Sequence, residues 1–172
     1  MELWDAYDID FNLLVGAIER DRPIPTGWYH LVVEVLTLTP DGKMLLTRRD
    51  PRKTFPLKWE ITGGSALQGE DAVTAAVREL GEETGLVVRR DDLRLVASFA
   101  MLGNTHFRTF VAVREVRSED IRLQDGETVD WKLVTPEVFT EMCRTGDVAA
   151  PIAKRLDEYL GFVADAMGVR RS

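Results

Sequence analysis

The chain has 172 residues, of which 45% are hydrophobic and 30% charged, and its formal net charge is −7. This balance is typical of one soluble domain of ordinary size, and it excludes a disordered or collagen-like chain. The single cysteine, Cys143, excludes an internal disulfide framework and a zinc site built on several thiolates, and the excess of acidic residues argues against a nucleic-acid partner.

Residues 1–28 are predicted to form an N-terminal extension. The stretch from Leu3 to Glu19 contains two short alternating or apolar segments that could pair as a hairpin, and the following prolines and glycine predict a loop. The first ten residues are acidic, unlike a secretory signal peptide, and no apolar run is long enough to cross a bilayer. We therefore expect a single domain over residues 1–172, located in the cytoplasm and without a membrane partner.

The central part of the chain predicts strands around one helix. The runs LVVEVLTLT and KMLLTRR are separated by Pro-Asp-Gly, which is a strong hairpin signal. A basic loop then leads to a short strand, WEIT, which ends at Gly63 and Gly64. From Glu70 to Glu83 the apolar residues recur at helical spacing, and Gly85 is typical of a helix C-cap.

The C-terminal part predicts three more strands and two helices. The strands lie in LRLVASFAML, FRTFVAVREV and DWKLV, and Thr135 with Pro136 begins a short helix as cap and first residue. A closing amphipathic helix is predicted within residues 150–172, and its apolar stripe consists of Ile152, Leu156, Leu160, Val163 and Met167. The whole pattern predicts an α/β fold in which helices cover both faces of a mixed sheet.

Three glutamates, Glu79, Glu82 and Glu83, share one face of the central helix. Adjacent carboxylates repel one another, and the helix dipole disfavours negative charge near a C-terminus. A sequence selected only for stability would place lysines there. Hard divalent cations such as Mg²⁺ or Mn²⁺ would make this cluster favourable, so the pattern predicts a divalent-cation site.

The segment from Gly64 to Leu86 resembles the Nudix box, G-x5-E-x7-R-E-U-x-E-E-x-G-U with U aliphatic. It agrees with the box at every defined position, namely Gly64, Glu70, Arg78, Glu79, Leu80, Glu82, Glu83, Gly85 and Leu86. The flanking strands are also similar to the α/β/α sandwich of that family. The resemblance implies Mg²⁺-dependent hydrolysis, with Mn²⁺ as a substitute, of a diphosphate linkage in a nucleoside diphosphate derivative or a related organic diphosphate.

The resemblance also implies roles for individual residues. The implied metal ligands are Glu79, Glu82, Glu83 and a carbonyl of Gly63 or Gly64. The implied structural residues of the motif are Arg78, which would orient the glutamates, Glu70 and Gly85.

The general base is left open by the sequence. It must lie within about 3 Å of the attacking water, or reach it through one further water. In this family the base often lies outside the box, so Glu127, just before a predicted strand, is the leading candidate and Glu79 the alternative inside the box. The predicted catalytic residues are therefore Glu79, Glu82 and Glu127.

The basic loop before WEITGG supplies the predicted substrate-binding residues, Arg48, Arg49 and Lys53. Arginine offers a forked pair of donors and lysine a compact charge, and both suit a diphosphate. The predicted partner is therefore a small-molecule diphosphate, and a homodimer remains open. The sequence does not name the substrate, and we expect its specificity to lie partly in the N-terminal segment.

Two other functions are compatible with parts of the sequence. The run from Tyr29 to Glu60 resembles isopentenyl-diphosphate isomerases, in which a histidine at the position of His30 helps bind a metal. Those enzymes carry a catalytic cysteine where this chain has Ile61-Thr62-Gly63-Gly64, so hydrolysis is favoured over isomerisation. A Nudix-like module that only binds a nucleotide would be indicated by loss of a box glutamate, and none is missing. His30 and His106 are predicted as packed or hydrogen-bonded residues, and Cys143 as a buried, inert thiol.

Overall fold

The computed structural model describes residues 1–101 and 103–168. Its strands are β1 Leu3–Tyr7, β2 Leu13–Glu19, β3 His30–Leu38, β4 Met44–Arg49, β5 Trp59–Glu60, β6 Thr62–Ser65, β7 Arg94–Met101, β8 Thr105–Val113 and β9 Thr128–Val134. Its α-helices are α1 Ala72–Thr84, α2 Pro136–Thr145, α3 Ala150–Ala153 and α4 Leu156–Ala166. Leu102, which ends one predicted strand, and residues 169–172 of the predicted closing helix lie outside the described residues. None of the described helices is both long and apolar enough to cross a membrane.

Strands β3 to β9 form a mixed sheet in which β3 is central. It runs parallel to β8 along its whole length and antiparallel to β6 on its other edge. Strand β4 instead pairs with β5 and β9, and it shares only the Leu38–Met44 pair with β3. The hairpin predicted at Pro-Asp-Gly is therefore confined to its turn, because β6 occupies the edge of β3 that β4 would need.

The predicted strand WEIT is divided between two neighbours. Trp59 and Glu60 pair with β4, whereas Thr62 and the two glycines after it pair with β3. Ile61, at the crossing point, is only 2% exposed. This crossing brings Glu60 and the glycine pair to the place where β3 and β4 diverge.

Helices cover both faces of this sheet, which confirms the predicted α/β/α sandwich. Along β3 the side chains alternate, so that Val33 and Val35 belong to one apolar core while Leu36 and Leu38 belong to the other. The first core includes the buried face of α1, and the second includes buried residues of α2 and α4. The sheet thereby holds α1 against the edge where β3 and β4 separate.

The N-terminal extension forms the predicted hairpin from β1 and β2, which pair antiparallel. It is joined to the sheet through reciprocal backbone hydrogen bonds of 2.8 Å between Tyr7 and Tyr29. The Gln68 N–H also donates to the Leu3 carbonyl at 2.8 Å, so the hairpin is attached to the loop that precedes α1.

The predicted closing helix is wrong as one continuous helix. It is interrupted after α3, and Arg155 precedes α4 without helical geometry. The interruption turns Tyr159, which is fully buried, into the core, while Leu160 of the predicted stripe is only partly buried. Arg155, at the interruption, donates from Nη1 to both carboxylate oxygens of Glu34, at 2.9 and 2.8 Å.

Candidate active site

Helix α1 is capped at both ends, at its C-terminus by the predicted Gly85 and at its N-terminus by Asp71, which was not predicted as a cap. The Asp71 side chain accepts the Thr74 N–H at 2.7 Å, so the helix begins at Ala72 rather than at Glu70. Gly85 adopts φ 78° as the C-cap, a left-handed conformation that favours glycine. The buried face of α1 includes Leu80, and the glutamates of the next turn lie at the edge of the sheet.

Arg78 joins the glutamates of the helix to the loop before it. Its guanidinium donates to both oxygens of Glu70, at 2.8 and 2.9 Å, and to the Ser65 carbonyl at 3.0 Å. The same group donates to Glu79 at 2.8 Å and to Glu82 at 3.0 Å. Hydrogen bonds from Arg78 lower the pKa of Glu70. This geometry supports the positioning role expected of Arg78.

Glu83 is the most unusual of the carboxylates. It is 6% exposed, and its Oε2 has no hydrogen-bond partner among the described residues. Burial raises its pKa well above the usual range, and the neighbouring charges of Glu60, Glu79 and Glu127 raise it further. An ionised carboxylate in such surroundings is costly unless a cation joins it.

The glycine pair lies directly against this cluster. A Cβ on Gly63 would come within 2.4 Å of the Val33 carbonyl, and a Cβ on Gly64 would come within 2.4 Å of the Glu79 carboxylate. Gly63 therefore requires glycine, because the backbone carbonyl it would meet cannot move aside, whereas a side chain at Gly64 would displace the Glu79 carboxylate. The bare backbone lets the strand approach the acidic face of α1.

Two of the predicted basic residues are each paired with a carboxylate at this place. Arg49 contacts Glu60, and Lys53 contacts Glu127. Burial raises the pKa of Glu60, and the charge of Arg49 opposes that rise. Glu127, the leading candidate for the base, is therefore positioned beside the carboxylates, with a lysine as its partner.

These groups line one cavity of about 460 Å³. From the sheet, helix and loops its lining includes Arg49, Lys53, Gly63, Gly64, Ser65, Leu67, Arg78, Glu79, Glu82, Glu83, Gln124 and Glu127. Three residues from the N-terminal hairpin and its flanks, Glu2, Trp4 and Arg20, complete the lining.

The structure does not bring Arg48 to this cavity. Its Nε donates to the Leu57 carbonyl at 3.0 Å, and its guanidinium lies 5.7 Å from the centre of the Trp59 ring. Neighbouring residues of a strand point to opposite faces, so Arg49 and Arg48 cannot both enter the same cavity from β4.

Both histidines are packed and hydrogen-bonded, as expected. The His30 ring stacks on Trp4 with centroids 4.4 Å apart and lies within hydrogen-bond distance of the Ser65 and Thr105 hydroxyls. His106 is 3% exposed, and its Nε2 lies 2.7 Å from the Asp8 carbonyl. Cys143 was predicted to be buried, which is wrong, because it is only partly buried; that partial burial raises the pKa of its thiol to about 11.

Sequence reasoning missed six residues that line the cavity, Glu2, Trp4, Arg20, Ser65, Leu67 and Gln124, and it also missed Glu60, which pairs with Arg49 beside the cavity. Glu60 carried a usable signal, because it is a lone acid in the short strand before the glycine pair. Glu2, Trp4 and Arg20 carried none, since their place depends on how the hairpin folds back onto the loop before α1.

The donor set fits a hard divalent cation. The buried, unpartnered Oε2 of Glu83 lies among other carboxylates, and oxygen ligands are those that Mg²⁺ and Mn²⁺ prefer. In the described part of the chain no three acidic, histidine or cysteine side chains converge into a finished coordination shell. Glu79 and Glu82 point to Arg78 instead, so ligation by them requires a change of rotamer.

Comparisons with known proteins agree with this geometry. The NUDIX domain model matches residues 28–156. An uncharacterized Nudix hydrolase of Listeria innocua is 30% identical over 149 residues, which cover 86% of this chain and 88% of that protein. An RNA pyrophosphohydrolase of Caulobacter vibrioides is 40% identical over 73 residues, covering 42% of this chain and 36% of that protein.

The fold is also found among solved structures. The crystal structure of DR0079 from Deinococcus radiodurans matches with a TM-score of 0.74 and 23% identity, and the match covers 90% of this chain and 99% of that one.

Proposed function

The chain belongs to the Nudix family and is a hydrolase of phosphoric anhydride bonds, and on that premise we propose Mg²⁺-dependent cleavage of an organic diphosphate. The substrate class is a nucleoside diphosphate derivative or a related compound with a diphosphate linkage. The cavity supports this class in two ways. Its carboxylates can bind a metal ion, and the positively charged side chains of Arg49 and Lys53 can bind phosphate oxygens.

One observation carries the proposal. The Oε2 atom of Glu83 is buried without a hydrogen-bond partner among the described residues, and the carboxylates of Glu60, Glu79 and Glu127 raise the pKa of Glu83 beyond the effect of burial. A structural glutamate would be paired with a donor, because an unpaired buried charge costs several kcal/mol. A divalent cation supplies the missing partner.

The metal ligands would be Glu83, Glu79 and Glu82, with a carbonyl of Gly63 or Gly64. When bound, the metal would neutralise the diphosphate and lower the pKa of a coordinated water. Arg78 would keep the carboxylates within reach through its bonds to Glu70 and Ser65.

The remaining groups serve the reaction itself. Arg49 and Lys53 would bind phosphate oxygens and hold the diphosphate in the cavity. Glu127 would accept the proton of the attacking water once Lys53 turns to the substrate, and Glu79 is the alternative base. The new bond joins the water oxygen to phosphorus, and the bond from phosphorus to the bridging oxygen breaks.

The test is a panel of nucleoside diphosphate derivatives and isoprenoid diphosphates, assayed with Mg²⁺ in water enriched in ¹⁸O. We expect hydrolysis that requires Mg²⁺ and places one ¹⁸O atom in one of the two phosphate products. Glu83→Gln should abolish turnover, whereas Glu119→Gln, an exposed residue outside the cavity, should not change it. Full turnover by Glu83→Gln would remove the metal-ligand assignment.

Isomerase activity is the competing outcome of the same panel. His30 packs against Trp4 and lies outside the cavity lining, and the described lining includes no cysteine. Double-bond migration in isopentenyl diphosphate without phosphate release would nevertheless replace hydrolysis as the function.

A further inference from the structure

We propose that Trp4 and Arg20 form the subsite that binds the nucleoside half of the substrate, with the base stacked on Trp4 and its phosphate held by Arg20. This inference rests on the proposed diphosphate hydrolysis and specifies its substrate as a nucleotide derivative. Both residues lie outside the segment 28–156 that the family model matches, yet both line the cavity that contains Glu79 and Glu83.

Contacts with His30 and Glu2 fix the orientation of the Trp4 indole. His30 covers one face of the indole, with ring centroids 4.4 Å apart and planes 20° from parallel. The indole N–H donates to Glu2 Oε1 at 2.8 Å. One face and the polar edge are thus occupied, and the side chain also lines the cavity, where a planar group can reach it.

The hairpin that carries Trp4 is fixed relative to the carboxylates. The Gln68 N–H donates to the Leu3 carbonyl, and the Gly69 N–H donates to Asp5 Oδ2, both at 2.8 Å. Both donors belong to the loop between β6 and α1, whose helix bears the glutamates. The distance from the indole to the acidic face is therefore set by the fold rather than by a mobile terminus.

The remaining lining makes Trp4 distinctive. In the described part of the chain, Trp4 and Leu67 are the only apolar side chains that line this cavity, and Trp4 is the only aromatic one. A base on an aromatic side chain gains stacking energy that an isoprenoid chain would not. The surface therefore selects a substrate with a flat ring.

Arg20 can exchange its present partner for a phosphate. It pairs with Glu2 at 2.7 Å, but the two side chains are 45% and 32% exposed, so the pair stabilises the fold little. Arg20 and Glu127, the candidate base, line the same cavity. A phosphate next to the attacked linkage would lie within the same cavity.

The experiment measures kcat and KM for a cleaved nucleoside diphosphate derivative and for an alkyl diphosphate without a ring. Trp4→Leu should raise KM for the nucleotide about 10- to 100-fold, leave its kcat within about threefold, and leave the alkyl diphosphate unchanged. Trp4→Phe should restore most of the affinity. Arg20→Gln should raise KM for both substrates.

Arg22→Gln is the matched control on the same hairpin, because Arg22 pairs with Glu19 at 3.1 Å and does not line the cavity. It should leave both substrates unchanged. The proposal is overturned if Trp4→Leu raises KM equally for both substrates. It is also overturned if the loss of activity is accompanied by a large fall in melting temperature, because Trp4 would then only anchor the hairpin.

A second cavity of about 200 Å³ gives the other overturning result. It shares Arg49 and Gly63 with the first cavity and is bordered by apolar side chains, Phe55 among them. If Phe55→Ala raises KM for the nucleotide while Trp4→Leu does not, the base binds there instead.

A binding measurement distinguishes failure of this subsite from failure of the proposed hydrolysis. Equilibrium dialysis of adenosine and cytidine 5′-monophosphates against the Mg²⁺-loaded protein needs no turnover. Weaker binding by Trp4→Leu than by Arg22→Gln would support the subsite even if no diphosphate were cleaved. Equal binding by these two variants would overturn it whether or not the enzyme is active.

Discussion

Two buried glutamates on opposite faces of the sheet have opposite surroundings. Glu34, on β3, is 5% exposed and accepts hydrogen bonds from Arg155, Tyr159 and Thr109. Glu83, on α1, is 6% exposed, and the charges of Glu60, Glu79 and Glu127 disfavour its ionised form. The same side chain at the same depth is thus fully paired in one place and left without a partner at Oε2 in the other.

The difference distinguishes a glutamate that stabilises the fold from one that is placed for metal binding. Arg155 is drawn from the C-terminal region to Glu34, and the pair joins α4 to the sheet. Glu83 contributes nothing comparable to folding, because its ionised form is disfavoured by burial and by like charges. We infer that the second arrangement persists because a bound cation completes it, and the two sites should therefore respond in opposite ways to the same substitution.

Glu83→Gln is expected to have the largest effect. Hydrolysis should fall by about 10³-fold, because a charged ligand at the reacting centre is lost. Without metal the variant should be more stable than the wild type. The raised pKa means that the wild type loses stability as pH rises above the usual carboxyl range, so the gain should grow with pH. Urea unfolding in EDTA at several pH values measures this, and a destabilised variant would contradict the cation account.

Glu34→Gln should act on stability in the opposite direction. It leaves the Arg155 charge buried without its carboxylate, which costs about 3 kcal/mol. Urea unfolding at pH 7 checks the value. The double variant Glu34→Leu with Arg155→Met should recover much of the loss, since no charge is then left unpaired. A double variant as unstable as the single one would show that the fold needs the ion pair itself.

Mg²⁺ should stabilise the folded protein through the region around Glu83 and not through the region around Glu34. At a concentration of 100 times its dissociation constant, a ligand that binds only the folded state stabilises it by about 2.7 kcal/mol. We expect this gain in the wild type and in Glu119→Gln, and little of it in Glu83→Gln. Thermal unfolding with Mg²⁺ against EDTA gives the comparison, and equal gains in all three proteins would place the cation elsewhere.

The same contrast explains what the sequence could predict. The cluster around Glu83 depends on contacts within α1 and the loop before it, and spacing alone placed Glu79, Glu82 and Glu83 on one helix face. The C-cap Gly85 is also a local signal, and the helix bounds were predicted within two residues.

Contacts between distant segments were not predictable in this way. Glu34 and Arg155 are separated by 121 positions, and nothing near either residue indicates the other. The interruption before α4 lies at Arg155, the residue that makes this contact, and the continuous apolar stripe gave no sign of it. The assignment of Arg48 failed for a simpler reason, because a basic run does not reveal which side chain of a strand faces the cavity.

The smallest expected effect is on the pH dependence of stability and concerns His30. Unlike Glu34 and Glu83, His30 is a buried group that stays neutral. Burial lowers its pKa to about 4, against about 6.5 in an unfolded chain. As pH falls from 6.5 towards 4, only the unfolded state takes up the proton, so stability should decline by about 2 kcal/mol between pH 7.5 and 5. His30→Gln can still bond to the Ser65 and Thr105 hydroxyls without titrating, and its unfolding free energy should fall correspondingly less over that range. Parallel curves for the two proteins would mean that His30 takes up its proton in the folded state as easily as in the unfolded one, and that the stack with Trp4 does not keep the ring neutral.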